Sequence, residues 1–237
     1  MNFIIRLMLA VVFFSFQGVN SDDSVVEKWL LPVDHPLQKK LKSIFRKTTH
    51  RKFNSTLMLE AGFSIISRPN TKGVLVATHP GMKDYVFKFY NNRKGTIPEE
   101  DVFLQRIVGA ESIRQKINES EFVQFAVPKK WIFRVPKKGG HSILIAENMN
   151  ILPHKKNMKA WKSSAVDVSL ITNLYKIIKD LGLNDSVYID NIPFNKEGKV
   201  CFIDTEHYGN WPVPFSRLNG VLGERIRQKW VSLYTEN

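Results

Sequence analysis

Tyr188-Ile189-Asp190-Asn191-Ile192-Pro193-Phe194-Asn195 and, after Lys196-Glu197-Gly198-Lys199, Val200-Cys201-Phe202-Ile203-Asp204-Thr205-Glu206 are the stretch on which the fold turns. A loop rich in Asp and Asn leads into a polar turn with one glycine, and an apolar strand then ends on a carboxylate. An acid at Asp190, an amide at Asn195 and a second acid at Asp204 are thereby set at fixed spacings. Taken singly, a strand-terminal Asp caps a turn and a loop Asn bonds its own backbone. Their meaning depends on what surrounds them.

Immediately upstream, Val166, Leu170, Leu174, Ile177, Ile178 and Leu181 recur at helical spacing. They predict a long helix stopped by Gly182, a residue suited to a left-handed cap. Glu147 to Pro153 reads as an extended connector. Before it, Trp131 to Val135 and Ser142 to Ala146 read as strands on either side of a Pro-Lys-Lys-Gly-Gly turn. Pro98 to Ile117 predicts a helix, with apolar Val102, Phe103, Ile107, Ala110, Ile113 and Ile117 and with Glu99 and Glu100 in its first turn. Phe63 to Ser67, Val74 to Thr78 and Tyr85 to Tyr90 are separated by turn residues and predict an antiparallel meander. Further out, Asp34-His35-Pro36 opens an amphipathic helix with Leu37, Leu41, Ile44 and Phe45 on one side. Lys39, Lys40, Lys42, Arg46 and Lys47, followed by Arg51 and Lys52, make the rest basic, as a solvated face or an anionic docking face. Downstream, Leu218 to Tyr234 predicts a last helix with Val221, Leu222, Ile226 and Trp230 on one face.

In this order the opening stretch resembles the catalytic loop and metal loop of the protein-kinase-like superfamily. Asp190, five positions before Asn195, and Asp204 at the end of an apolar strand stand where that family has its motif residues. Ile203-Asp204-Thr205-Glu206 is nearer to the aminoglycoside- and choline-kinase branch than to an Asp-Phe-Gly loop. The resemblance implies an α+β, two-lobed kinase-like fold: a five-stranded antiparallel N-lobe sheet with one helix, over a reduced helical C-lobe. It implies ATP and Mg²⁺ as cofactors, Asp190 as the base that orients the acceptor hydroxyl, and Asn195 and Asp204 as metal ligands. It also implies Lys88, in Val86-Phe87-Lys88-Phe89, as the lysine on the phosphates, and Glu111 as its partner, with Glu100 a poorer alternative. The chain departs from the family in having one glycine between Arg68 and Gly73, in Tyr188 and Ile189 before Asp190, and in the 33 residues (237 minus 204) left after Asp204.

Residues 1–21, with Arg6 followed by an apolar run from Leu7 to Phe16, read as a cleavable signal peptide, the apolar run being shorter than a membrane span. The expected organisation is then 22–60 as a basic helical segment, 61–146 as the N-lobe and 147–237 as the C-lobe, with no transmembrane segment in the exported chain. The formal charge of +13 points to anionic partners without choosing among them. Cys201 is the single cysteine, so no intrachain disulfide supports the fold, and its place in an apolar strand predicts a buried thiol. The six histidines show no metal-ligand spacing. The sequons at Asn54, Asn118 and Asn184 are about as many as chance supplies.

Three functions fit these features. The first is an exported, atypical kinase-like phosphotransferase acting on an unknown hydroxyl acceptor. The second is a pseudokinase-type binding protein that docks an acidic partner through its basic surface. The third is a basic, exported adhesion or membrane-surface protein. No nucleic-acid module is recognisable, so a specific nucleic acid is not expected.

Overall fold

The computed structural model describes residues 23–48, 53–66, 74–90, 99–136 and 140–236. The expected signal peptide, Arg51 and Lys52, the single-glycine turn after Arg68, Pro98 and residues 137–139 lie outside them.

Strands β1 (Ser64–Ile65), β2 (Val74–Thr78), β3 (Tyr85–Tyr90), β5 (Lys130–Arg134) and β6 (Ser142–Glu147) form one antiparallel sheet in the order β1-β2-β3-β6-β5. Strands β4 (Phe125–Ala126) and β7 (Val200–Cys201) pair in parallel elsewhere. Alternation along a strand sends neighbouring side chains to opposite faces. In β3, Phe87 and Phe89 therefore go one way and Lys88 and Tyr90 the other, in a register that aligns Val76, Lys88 and Leu144.

Both faces are covered. Helix α2 (Pro36–Lys47), between the short α1 (Asp23–Glu27) and α3 (Ser55–Glu60) and entered through the His35 side chain as acceptor for the Leu37 N–H, lays Leu37, Leu41 and Phe45 on Phe63, Phe87, Phe89 and Phe133. The basic N-terminal segment is thus built into the lobe as the outer cover of its sheet. Helix α4 (Glu99–Glu119), inserted between β3 and β5, packs Phe103 and Ile107 on Tyr90, Ile132 and Leu144 of the other face.

The second lobe gathers α5 (His154–Trp161), α6 (Val168–Leu181), a 3₁₀ helix (Phe215–Val221) and α7 (Glu224–Thr235) around Trp161, Leu174, Ile178, Phe194, Phe202 and Trp230. Asp167 caps α6, accepting from Leu170 at 2.7 Å. Gly182 ends it at φ +57°, where a Cβ would meet the Trp211 ring at 2.6 Å. The helix expected from Leu218 runs regularly only from Glu224, because Gly220 and Gly223 interrupt the pattern and leave a 3₁₀ turn before it. The architecture is α+β, with the expected five-stranded antiparallel sheet, a single helix inserted between β3 and β5 and a helical second lobe. Among the described residues, no helix is long and apolar enough to cross a membrane.

Candidate functional site

The α4-facing side of the sheet carries two lysines. Lys88 comes from the middle of β3, opposite the face occupied by Phe87 and Phe89, and Lys130 opens β5 on the same side. Both are buried, at 9% and 3% exposure. Burial of a cation demands acceptors, and the strand-ending loop supplies them. The Lys88 amine donates to the Ile203 carbonyl at 3.3 Å and lies 3.8 Å from the Asp204 carboxylate. The Lys130 amine donates to the Thr205 hydroxyl oxygen at 2.6 Å and to the Arg106 carbonyl at 3.4 Å. Thr205 in turn donates to the Arg106 carbonyl.

A third cation enters from α4. Arg106 bridges Asp204 and Glu206, one terminal nitrogen on each, in a forked geometry that a guanidinium suits. Gly109 lets the helix come this close: a Cβ there would collide with the Thr205 carbonyl and with the Tyr208 ring. Three cations, Lys88, Arg106 and Lys130, therefore face two carboxylates. The carboxylates form the outer side of the cluster, with Asp204 33% and Glu206 22% exposed against 11% and 7% for Lys88 and Arg106.

The titration of these groups follows from that arrangement. Burial alone would raise the Asp204 pKa, but Lys88, Arg106 and Lys130 together outweigh it and hold the carboxyl below its usual range. Lys88 is lowered by burial and by Arg106, against the opposing pull of Asp204 and Glu206. Lys130 is pushed well down by burial and by the charge of Lys88.

Two expectations are corrected here. Glu111 does not hold Lys88; it pairs with Arg114, which also donates to the Pro128 carbonyl at 3.0 Å. The reason is helical phase: five residues beyond Arg106 at 3.6 per turn, Glu111 faces a different direction from the cluster. Glu100, the alternative, is held by Arg134 and Ser142. Asn195, in turn, does not stand beside Asp204. Its amide oxygen accepts from Glu197 at 3.0 Å and Lys199 at 2.8 Å, so both lone pairs are spent in the turn.

The hairpin register explains this. Asn195 pairs with Lys199, Pro193 with Cys201 and Asn191 with Ile203, the last through a 3.1 Å bond from the Ile203 N–H to the Asn191 carbonyl. Asn191 is thus level with Ile203 through its backbone, its side chain donating to the Asp185 carbonyl at 3.0 Å, while Asn195 lies about 13 Å further along at the usual rise of a strand. The spacing about Gly198 held that signal, since a turn joining 195 to 199 necessarily joins 191 to 203.

Asp190 is on the solvent side, 58% exposed, with the His154 ring nitrogen at 2.8 Å. Its loop is fastened to α5 by Asn157, which is buried, donates to the Ile189 carbonyl at 3.0 Å and accepts from the Phe194 N–H at 3.0 Å. Nothing in the sequence singled out Asn157, Arg106 or Lys130. The Cys201 thiol is buried, and burial pushes it up to about 12, as befits a packed strand residue.

These donors do not fit a resident Mg²⁺ as they stand. Asp204 is neutralised by Arg106 and Lys88, and Asn195 has no lone pair to give. Among the described residues, no three His, Cys, Asp or Glu side chains converge on a point that could hold a metal ion.

The fold and the cluster define an α+β protein whose 203–206 loop is tied to its sheet by buried cations. No protein-family model and no curated protein sequence matches the chain. Solved structures do match; one is the complex of APH(2")-IIia with GDP and kanamycin, at 13% identity and a TM-score of 0.33, covering 73% of this chain and 77% of that one.

Proposed function

We propose that this chain is a kinase-like binding protein of pseudokinase type, in which the loop that a phosphotransferase keeps free for metal serves instead as the keystone between the lobes. The observation that carries this is Arg106 bridging Asp204 and Glu206 from α4 while Lys88 stands 3.8 Å behind. A divalent ion at Asp204 would have to break that bridge and approach three cations. The basic surface is then the functional face, docking an acidic partner. Export by residues 1–21 belongs to the same proposal and agrees with it, since ATP is scarce outside the cytosol. The N-terminal sequence of the protein recovered after export tests it, and an intact Met1 would count against it.

The second reading, a phosphotransferase using ATP and Mg²⁺, is favoured by one feature. Lys88 and Asp204 do meet, and Asp190 is open to solvent with the His154 ring nitrogen 2.8 Å from its carboxylate. Thermal melting with and without ATP and Mg²⁺ separates the two. The pseudokinase reading expects no metal-dependent shift, whereas ligand at a hundredfold its dissociation constant would add about 2.7 kcal/mol. A Mg²⁺-dependent shift that Asp204→Asn removes, with phosphoryl transfer lost in Asp190→Ala, would establish the second reading and retire the first.

A further inference from the structure

From His35 to Leu59 the chain contains seven Lys and Arg and no Asp or Glu. The part of this run in α2 is ordered by packing. Leu37, Leu41 and Phe45 are buried against the sheet, so Lys39, Lys42, Ser43, Arg46 and Lys47 are all turned outward and exposed. Lys40, on the flank, donates to the Gly81 carbonyl of the β2–β3 turn and fixes the helix to the sheet edge. Among the described residues, no carboxylate pairs with Lys39, Lys42, Arg46 or Lys47.

This face differs from an ordinary solvated one, where both signs are interspersed. It is the outermost layer of the lobe, rigidly seated, about 18 Å long for its 12 residues, and of one sign. Its exposed residues include no aromatic ring and one hydroxyl, Ser43, so it reads charge density. A defined peptide or a base sequence is recognised through directional groups as well as charge; a sheet of anionic lipid headgroups is recognised through charge alone.

We infer that the outer face of α2 docks the protein on an anionic lipid bilayer, through Lys39, Lys42, Arg46 and Lys47. This rests on the reading that the basic surface carries the function, and it names the surface and the partner. The contact is peripheral, because the apolar side of α2 is committed to the sheet and cannot insert.

The test is flotation of the chain with vesicles of phosphatidylcholine alone or with phosphatidylglycerol added to about a third, a composition whose surface attracts basic segments. Binding to the anionic vesicles is expected to exceed binding to the neutral ones at least about tenfold and to fall away at about 1 M salt, where charges are screened within about 3 Å. Lys39→Gln/Lys42→Gln/Arg46→Gln/Lys47→Gln should lose that preference while melting like the parent, these positions being exposed. Lys155→Gln/Lys156→Gln/Lys159→Gln, an equally exposed basic set on α5, should keep it.

Equal binding to both vesicles, or a retained preference in the α2 variant, overturns the proposal. So does tighter binding to polyglutamate or single-stranded DNA than to the anionic vesicles at equal charge, which would assign the face to a soluble polyanion. None of these outcomes bears on nucleotide and metal, so this inference and the pseudokinase reading fail separately.

Discussion

Arg106 is 6% exposed and answers to two carboxylates at once, its buried Nε standing without an acceptor. Its removal would leave Glu206 without its cation and Asp204 with only the 3.8 Å approach of Lys88. Breaking such a buried network by deleting one partner costs about 3 kcal/mol, and Arg106→Gln should lose about that much in urea denaturation. A variant as stable as the parent would show that the bridge is a surface pair of little consequence. Gly109 makes the same contact from the backbone side. Alanine normally stabilises a helix interior by about 1 kcal/mol relative to glycine. Here its methyl would be driven into the Thr205 carbonyl, so Gly109→Ala should instead destabilise by about 2 kcal/mol, the scale of overpacking. A gain in melting temperature would mean that α4 and the 204–208 loop are not in contact.

Among the elements, α5 does its work through one buried side chain. Asn157 satisfies the Ile189 carbonyl and the Phe194 N–H on either side of Asp190 and Asn191. Asn157→Leu would orphan both groups and should cost about 2 kcal/mol. Amide exchange at Phe194 should quicken well before global unfolding, and Asn157→Asp, which keeps the acceptor alone, should fall between. Unchanged exchange at Phe194 would remove the tether. The elements also show what the sequence could and could not disclose. The helices α4 and α6 were legible from their apolar periods, and the meander from the turn residues that separate its strands. Lys88 and Asp204 were legible from their places at the middle and the end of apolar strands. Asn195 was misplaced because a five-residue spacing was weighed without the hairpin register that Gly198 imposes. Glu111 was misplaced because separation along the chain says nothing of helical phase. Arg106 and Lys130 could not be read at all, since a cation in an amphipathic element looks solvent-facing until something packs over it.

At the scale of the whole molecule, 35 basic residues stand against 22 acidic ones, so the few carboxylates with strong partners matter out of proportion. For Asp204 and Glu100 burial pulls the pKa upward, yet cationic and hydrogen-bonding partners hold both below their ordinary values, Arg134 and Ser142 doing so for Glu100. A carboxyl lowered in the folded state binds a proton less readily than in the unfolded chain. Its contribution is therefore complete above the unfolded value of about 4 and is lost as pH falls through the folded one. Melting temperature should accordingly be steady down to about pH 5 and then drop steeply. Charge repulsion acts in the same direction: protonating all 22 acids takes the formal charge from +13 to +35, 13 plus 22. The two causes are separable. Repulsion across the surface is screened at about 1 M salt, whereas a buried pair is screened much less. The acid drop should thus persist in high salt and be shallower in Glu100→Gln, which has no proton to gain. A drop that salt abolishes, or that Glu100→Gln leaves unchanged, would place the acid sensitivity in the overall charge and not in the carboxylates held by Arg134 and Arg106.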